Sequence, residues 1–488
     1  MASTNDFETA VPKYNTSKRR FSREANLQYT FKSADDLLKN LDVVTSMIQH
    51  HVAHQRPRLD VLDDYYEGNN VTILKNNRRK EEHLADHRAT HNFAEYVSQF
   101  IQGYMVGIPL KTQHRDAKAD EMLKDINRDN DADAHNSDLV LDLSIYGRAY
   151  ELLFRSPRDE NRFTLLPPLE TFVIYDSTVE ENPIAAVRYF ANSFQDKDSV
   201  TVELYTDRQI HKFETSTATS YELKNGKASS HFFEGVPINE YSNNRFRLGD
   251  FEGVLNLIDL YDSAESDTAN YMTDLNDAML KIKGNLDIDV EEARKMKEAN
   301  ILFLKPEVDA EGRSQDVDAD YIYKQYDVSG VESYKDRLQS DIHKFTNTPD
   351  MNDEKFAGSQ SGEAMKYKLF GLEQVRANKE RLFKRSLMNR YRLLNNLLST
   401  ASEGSFDVKD LKITFTPNLP KSVKDEVDMF ISLGGRLSEE TTLSLLSFVE
   451  NPQEELERIK QEDEVAGRSR PGYNFPDETK KDGESDDE

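Results

Sequence analysis

Residues 342–373 read IHKFTNTPDMNDEKFAGSQSGEAMKYKLFGLE and place a polar loop between two segments with helical patterns. The first helix is expected to end before Pro349, because a proline disfavours helical backbone in the residue that precedes it. The polar run DMNDEKFAGSQSG follows, and a long basic helix is predicted to begin at Glu363. No catalytic motif requires this arrangement, so the stretch indicates architecture rather than chemistry.

The composition favours an elongated or multi-domain subunit. The chain has 488 residues, of which 31% are charged, and its mean hydropathy is -0.75. This length is enough for about two to four domains. So polar a chain is expected to bury surface against copies of itself rather than to form one dense globule.

The net charge of -26 limits how the chain can meet nucleic acid. Proteins that grip DNA with their whole surface neutralise its phosphates with Lys and Arg, and this composition argues against that mode. An acidic wall past which DNA slides remains compatible with the charge, because acidic side chains repel phosphate.

The sequence contains no cysteine, which excludes disulfides and cysteine zinc sites and favours a reducing compartment. No apolar run approaches the roughly 20 residues that a membrane span needs. Residues 1–20 lack the apolar core of a signal peptide. We therefore expect a soluble protein, made in a cytosol, with no membrane partner.

The N-terminal half is predicted to contain helices followed by a sheet. Residues 1–34 form a polar arm that we expect to be flexible. Ser33 fits a helix N-cap, and the apolar residues from Leu37 to Ile48 repeat at helical spacing. Residues 150–236 alternate apolar and polar side chains, as in SVTVELYT, which predicts an antiparallel sheet.

Residues 251–283 return to a helical period, and a single helix of this length would extend about 50 Å. Its apolar stripe is interrupted, so the helix cannot be buried on all sides. Seven acids precede its first base, Lys281: Glu252, Asp259, Asp262, Glu265, Asp267, Asp274 and Asp277.

The C-terminal half is predicted to contain a small module and more helices. The module, residues 285–327, has a short helix and two strands, ILFLKP and ADYIYKQY, joined by residues 309–312. A helix then leads to the polar loop, and the helix from Glu363 to Leu398 holds nine bases against three acids. The remaining predicted elements are the strand LKITFTP, helices over 422–433, 438–448 and 452–464, and a disordered acidic tail.

Local motifs give no catalytic or metal centre. Two histidine groups have possible metal-ligand spacing, but we expect solvated or core-edge histidines and no cofactor; the groups are His83, His87 and His91, and His50, His51 and His54. The calcium-like start Asp125, Asn127, Asp129 has Asn130 and Asn136 where a glycine and a glutamate are required. GxxxxGK[ST], HExxH and GxSxG are absent, so the chain is predicted not to be an enzyme.

Five segments, in this order and at these separations, resemble the portal protein of long-tailed phages (siphoviruses) of Gram-positive bacteria. They are LDVLDDYYEGNN (59–70), ADHRATHNFAEYVSQFIQGYMVGIP (85–109), SIYGRAYELLF (144–154), MLKIKG (279–284) and TPDMNDEKFAGSQSGEAMKYKLFGLE (348–373). The resemblance covers roughly residues 40–460. It implies an α+β, predominantly helical portal fold, assembled as a ring of about twelve copies at one capsid vertex.

The resemblance also implies a division of the chain into the parts of a portal subunit. These are a flexible arm (1–34), a wing (35–250), stem helix 1 (251–283), a small α/β clip (284–327), stem helix 2 (328–346), a tunnel loop (347–362), a long basic helix with a wing strand (363–419), a helical crown (420–464) and a disordered acidic tail (465–488).

Roles for individual residues follow from this mapping. In the loop, Asn352, Lys355, Ser359 and Gln360 are predicted to face DNA, since weak contact with a moving duplex suits a polar, nearly neutral loop. The predicted channel-lining acids of the stem are Asp259, Asp262, Glu265, Asp267, Asp274 and Asp277. The bases predicted to pair with the adjacent subunit are Lys366, Arg376, Lys379, Arg381, Lys384 and Arg385; direct binding of nucleic acid is the alternative for this helix.

The resemblance implies partners and a location as well. The subunit would belong to the virion and be assembled in the host bacterial cytoplasm. It would pass double-stranded DNA and contact the terminase large subunit, the major capsid and scaffolding proteins, and the head–tail connector. Two alternatives remain open: a nucleic-acid-processing enzyme with a carboxylate-bound metal, and a scaffold or capsid-associated protein without a channel.

Overall fold

The structure is a computed structural model, and it describes residues 20–74, 85–274, 279–283, 290–298, 301–304, 318–322, 327–351 and 369–418. Beyond residue 418 it describes 427–428, 430–432, 437–443, 446, 449 and 452–465. The chain divides into two compact units: residues 1–357 with 368–418, and residues 358–367 with 419–488. All of the described strands lie in the first unit.

Four helices open the first unit: α1 (Ala34–Lys39), α2 (Leu41–His50), α3 (Arg56–Tyr66) and α4 (Val71–Leu74). A 3₁₀ turn, Arg23–Asn26, precedes them, and a π-helical turn, His51–Gln55, joins α2 to α3. The Ser33 hydroxyl accepts a hydrogen bond from the Asp36 N–H, which confirms Ser33 as the N-cap of α1.

Ten strands build most of the first unit. In chain order they are β1 (Tyr29–Phe31), β2 (Lys111–His114), β3 (Arg148–Arg155), β4 (Asn161–Leu166), β5 (Thr171–Asp176), β6 (Pro183–Ala191), β7 (Ser199–Tyr205), β8 (Gln209–Ser216), β9 (Lys227–Ser230) and β10 (Ile238–Ser242). Six form a sheet of order β1-β5-β6-β7-β8-β9, in which only the β1–β5 pair is parallel. A second, antiparallel sheet has the order β10-β3-β4. The predicted antiparallel region is thereby confirmed.

Three longer helices follow the first group: α5 (Phe93–Val106), α6 (Ala117–Asp129) and α7 (Ala132–Tyr146). The Asn92 side chain caps α5 by accepting from the Glu95 N–H, and Gly147 ends α7 with a φ of 79°. The α7 residues Leu139, Val140 and Leu143 are almost fully buried in the largest core cluster. This core is where the helices meet the β10-β3-β4 sheet.

The predicted stem helix 1 is shorter than the sequence indicated. Helix α8 covers Leu255–Asp274, and Met279–Lys283 is a strand, β11. A continuous helix to residue 283 was therefore wrong. The segment MLKIK fits both periods, since Met279 and Ile282 are three residues apart while Leu280 and Ile282 are two apart.

Strand β11 is the centre of the small module predicted as a clip. It pairs in parallel with β12 (Ile301–Leu304) and antiparallel with β13 (Asp318–Ile322), and the helix α9 (Val290–Glu298) precedes β12. The two predicted strands are thus present, but each pairs with β11 instead of with the other. The module begins at residue 279 and not at 284.

Two helices flank the loop. Helix α10 (Val328–Thr346) ends before Pro349, as predicted, and α11 (Phe370–Ala401) runs through the core. The segment 363–368, where the basic helix was predicted to begin, lies outside the described residues. The strand β14 (Leu411–Thr414) pairs antiparallel with β2, which confirms the predicted strand.

The second unit contributes α12 (Glu439–Leu443) and α13 (Pro452–Val465) to the described residues. Most of the predicted helix 422–433, the N-terminal arm to residue 19 and the tail beyond residue 465 lie outside them. Among the described helices, none combines the length and apolarity that crossing a membrane requires.

Candidate functional site

The acids of α8 bind other parts of the same chain. The Asp259 carboxylate pairs with Arg20 at 2.8 Å and accepts a hydrogen bond from the Tyr65 hydroxyl. The Glu265 carboxylate lies 2.9 Å from Lys335 Nζ on α10. Asp267 is exposed. Asp274 is the last residue of α8, and its side chain and Asp277 lie outside the described residues.

Asp262 corrects the expectation that all of these acids face water. Its carboxylate is fully buried and accepts hydrogen bonds from Asn70 Nδ2 at 2.7 Å, from the His91 N–H at 3.0 Å and from His91 Nδ1 at 2.9 Å. The hydrogen bond that His91 donates to Asp262 raises the pKa of His91, against the effect of partial burial. Asp262 therefore acts as an internal hydrogen-bond centre in this chain, and a channel-lining role for the other acids stays a prediction.

A polar ladder joins α8 to residues 87–91. Besides the bond to Asp262, the Ala89 N–H donates to Ser266 Oγ at 2.9 Å and the His87 N–H donates to Asn270 Oδ1 at 2.5 Å. The partners are four residues apart on the helix and two apart on the other segment. Four helical residues rise about 6 Å, and two extended residues span about 6.6–7.2 Å, so the two repeats match closely.

The ladder excludes the helical histidine row that the spacing suggested. Residues 85–92 are neither helix nor strand, so His87 and His91 do not share a helical face. Each instead contacts α8, His87 through Thr273 at 2.8 Å and His91 through Asp262. His83 lies outside the described residues.

The predicted calcium-like segment lies within a helix. Asp125, Asn127 and Asp129 are part of α6, and Arg128 pairs with Asp125 at 2.8 Å. A calcium loop needs its carboxylates to converge on one point from a non-helical turn. The segment is thus structural, and the hydroxyl of Tyr391 donates to Asn127 Oδ1 at 3.0 Å.

Lys335 links α8 and α10, the two helices predicted to form a stem. It is 8% exposed and pairs with Glu265 on α8 and, at 2.7 Å, with Glu332 on its own helix α10. A lysine so deeply buried needs partners of this kind, because an unpaired charge away from water is strongly unfavourable. The contact fixes α10 against α8 near the start of α10.

The two roots of the loop, which are the ends of the flanking segments at Asn347 and Gly371, lie side by side. Asn347, the C-cap of α10, has a left-handed φ of 57°, and a Cβ atom on Gly371 would lie 2.9 Å from its Oδ1. The chain therefore leaves α10 and returns to α11 at nearly the same place. A larger residue at position 371 would push against Asn347 unless that side chain moved.

Helix α5 holds both roots with tyrosine hydroxyls. Tyr96 Oη donates to the Pro349 carbonyl at 2.7 Å and accepts from the Met351 N–H at 3.3 Å. Two turns further along α5, Tyr104 Oη donates to Glu373 Oε2 at 2.8 Å. Hydrogen bonds from Arg376 and then Tyr104 hold the pKa of Glu373 below its usual value, although burial opposes them. Nothing in the sequence pattern marked these tyrosines beyond their place in segment 85–109.

The predicted DNA-facing residues Asn352, Lys355, Ser359 and Gln360 lie outside the described residues, as does Lys366. Their roles stay predictions. The structure describes the residues before this segment, where Gln339 Nε2 donates to Asp350 Oδ2 at 2.8 Å and the hydroxyls of Thr346 and Thr348 lie 2.7 Å apart.

The bases of α11 divide into two groups. Arg376 pairs with Glu373 at 2.6 Å and Glu380 at 2.5 Å within the helix, and Lys379 is buried beside Asp250. Burial lowers the pKa of Lys379, and Asp250 opposes that effect. These two bases are engaged inside the chain, which corrects their assignment to a neighbouring subunit. Arg381 and Arg385 are exposed and Lys384 is half-buried, so these three can reach a partner.

A third base of α11 forms a buried network that the sequence did not single out. Arg390 and Glu151 are both fully buried and form an ion pair. His135 Nε2 lies 2.9 Å from Glu151, and Arg390 donates to Asn136 Oδ1 at 2.9 Å. Burial raises the pKa of Glu151, but Arg390 and His135 outweigh it and lower that pKa to about 2.

Comparison with known proteins places these features in context. A family model described as "Phage portal protein, SPP1 Gp6-like" matches residues 46–468. A protein of Bacillus phage SPP1 named "Portal protein" is 26% identical over 386 residues, which are 75% of this chain and 74% of that protein. A "Portal protein" of Clostridium phage phiCD119 is 22% identical over 410 residues, 80% of this chain and 88% of that one.

Solved structures of gene transfer agent (GTA) particles are also similar to this chain, at low scores. The neck of the empty GTA particle gives a TM-score of 0.42 at 12% identity and covers 72% of this chain and 89% of that one. The virion of the native GTA particle gives 0.41 at 12% identity and covers 80% and 92%.

Proposed function

The chain belongs to the SPP1 Gp6-like phage portal protein family, and from this premise we propose that it is the subunit of a ring that forms the DNA channel of a phage capsid. The ring would have about twelve copies and occupy one capsid vertex. Double-stranded DNA would enter during packaging, be retained and leave on ejection through its centre.

Family membership confirms the resemblance found in the sequence and the α+β portal fold. The family and the two relatives are named as portal proteins and not as enzymes, in agreement with the prediction that this chain is not an enzyme. Energy for moving DNA would then have to come from a separate motor.

We assign the finer roles by position in the chain. The α9, β11, β12 and β13 module, residues 279–322, would contact the terminase large subunit during packaging and the head–tail connector afterwards. The wing would face the major capsid and scaffolding proteins. Assembly would take place in the host bacterial cytoplasm.

The proposal rests on the contacts that hold the two roots of the loop. The chain departs and returns between two adjacent roots, at Asn347 and Gly371, and both roots are held by α5. In this proposal the segment between the roots would change position while the helices that hold the roots stay in place. In a ring, loops from all copies would meet around the duplex and touch its phosphates through polar side chains, without reading sequence.

The charge distribution supports passage rather than binding. The described bases of α11 include three that are neutralised within the chain, Arg376, Lys379 and Arg390, while the whole chain carries a net charge of -26. A strongly acidic assembly repels phosphates, which lets DNA pass without adhering. Arg381, Lys384 and Arg385 would pair with acids of the next subunit.

Deleting residues 353–361 tests the proposal. Rings with a central hole should still form, visible by negative-stain electron microscopy, because the roots and their contacts are retained. Phage carrying the deletion should package or retain much less DNA than phage with an equal-length Gly/Ser replacement of residues 466–474 in the tail. Loss of the ring together with the loop, or normal DNA content, would contradict the proposed role.

A further inference from the structure

Two histidines and a glutamate come together where the N-terminal segment meets α2. His50 is the last residue of α2, His54 lies in the π-helical turn His51–Gln55, and Glu24 lies in the 3₁₀ turn Arg23–Asn26. One ligand atom from each lies within 4.8 Å of the others. Residues four apart on a helix share a face, so the two imidazoles project together towards Glu24.

We propose that Glu24, His50 and His54 form a binding site for one divalent transition-metal ion of the Zn²⁺ type. The donor set is two imidazole nitrogens and one carboxylate oxygen, with water completing the coordination. This set is found in open zinc sites. It is unsuited to Ca²⁺ or Mg²⁺, which prefer all-oxygen ligands.

The distances fit ligands of one ion better than they fit hydrogen bonds. His54 Nδ1 lies 3.5 Å from Glu24 Oε2, long for a hydrogen bond. Two ligands bound to the same Zn²⁺ at about 2.0–2.2 Å and a tetrahedral angle are about 3.4 Å apart. The rings of His50 and His54 have centroids 4.7 Å apart, so both nitrogens can reach a common ion through small rotations.

A buried tyrosine orients His50 for this role. Tyr29 Oη lies 2.9 Å from His50 Nδ1, which leaves Nε2 of His50 as the atom that can bind a metal. In metal-binding histidines the nitrogen that does not bind the metal commonly forms a hydrogen bond, and the partner in that bond fixes the orientation of the ring. Tyr29 is itself only 6% exposed, and the centroid of its ring lies 4.7 Å from that of Phe172, so it is a rigid support.

The site would fasten the 3₁₀ turn Arg23–Asn26 to the end of α2 and to the π-helical turn. The contact between the 3₁₀ turn and the π turn otherwise includes a hydrogen bond from Gln55 Nε2 to the Leu27 carbonyl at 2.9 Å. The side chains of His54 and Glu24 are 43% and 60% exposed, so an ion could enter from solvent without unfolding the site. π turns interrupt α-helices preferentially at functional positions.

Equilibrium dialysis of the full-length, untagged protein against Zn²⁺ tests the site, with Co²⁺ absorption spectroscopy as a second readout. We expect one saturable Zn²⁺ per chain and a visible Co²⁺ band of the intensity typical of tetrahedral or five-coordinate geometry. Glu24→Gln and His54→Gln should weaken binding at least tenfold, because each removes one of three protein ligands. Tyr29→Phe keeps the ring and should weaken binding about tenfold by freeing His50.

His211→Gln on β8 is the matched control and should bind Zn²⁺ like the wild type. Glu24 and His54 are exposed, so their variants should fold like the wild type, and circular dichroism checks this. Absence of saturable binding in the wild type would overturn the proposal. So would full affinity in the Glu24→Gln, His54→Gln double variant.

Discussion

Replacing Tyr96 by phenylalanine should loosen the first root of the loop. The substitution removes two hydrogen bonds, one donated to the Pro349 carbonyl and one accepted from the Met351 N–H, and retains the ring that packs beside His343. Each bond of this kind contributes about 0.5–1.5 kcal/mol. Met351 is 48% exposed, so water can partly replace the lost partner. We therefore expect a loss of about 1–2 kcal/mol, which raises the population of the open root roughly 5–30-fold.

Amide hydrogen exchange of the peptide containing Met351 measures this opening. Under conditions where closing is faster than exchange, the exchange rate of a protected amide reports the fraction of time that its hydrogen bond is broken. The Met351 amide should exchange about 5–30 times faster in Tyr96→Phe, while amides in the middle of α10 and α11 keep their protection. Limited proteolysis within residues 352–361 should accelerate in parallel.

Tyr66→Phe is the matched control, because its hydroxyl makes no hydrogen bond within the part of the chain that the structure describes. It should leave exchange at Met351 unchanged. If Tyr96→Phe also leaves that exchange unchanged while the protein remains folded, α5 does not hold the root. If protection is instead lost throughout α10 and α11, Tyr96 supports the whole fold and not the root in particular.

Two further substitutions probe the buried charges. Glu151→Gln leaves Arg390 without its buried counter-charge and should lower the unfolding free energy by about 3–5 kcal/mol in chemical denaturation; a change below 1 kcal/mol would contradict the network. Because the folded pKa of Glu151 is lowered to about 2, its contribution to stability is present above the unfolded value near 4.5 and is lost as the pH falls towards 2, so this acid sensitivity should be smaller in Glu151→Gln. Asp262→Asn should lower the pKa of His91, whose raised value contributes stability below about pH 6.5 that is lost as the pH rises through the folded pKa. Exchange of the imidazole C2 hydrogen, followed by mass spectrometry, measures that pKa, and an unchanged value would exclude the Asp262–His91 bond.

Local signals in the sequence were sufficient for much of the fold. The Ser33 cap, the alternating strands between 150 and 236 and the end of α10 before Pro349 all depend on neighbouring residues, and the structure contains each of them. The strand β11 was missed because its five residues satisfy the helical and the strand period equally well. The segment forms a strand because it pairs with β12 and β13, which are distant in sequence.

The roles of charged residues were harder to predict, since they depend on pairs far apart in the chain. Asp262, Ser266 and Asn270 form a regular polar stripe on α8 that could have been noticed as a ladder, yet its partners are about 180 residues away. The Arg390–Glu151 pair likewise joins a helix and a strand separated by 239 positions. A count of the acids and bases on a helix describes the charge of its exposed surface only when residues in such internal pairs are left out of the count.

These internal pairs also constrain how the loop and the predicted stem helices, α8 and α10, could move. Asp259, Asp262 and Glu265 tie α8 to Arg20, to Asn70 and His91, and to α10, so these parts would have to shift as one body. A stem helix that slid alone would leave Asp262 buried without donors, and an unpaired buried carboxylate is strongly unfavourable. The bonds of Tyr96 at the first root join neutral groups, and Met351 is 48% exposed, so water can replace a lost partner there. Motion at the roots relative to α5 would therefore require less free energy than motion within the stem, and we expect the loop to change position while α8 and α10 stay paired.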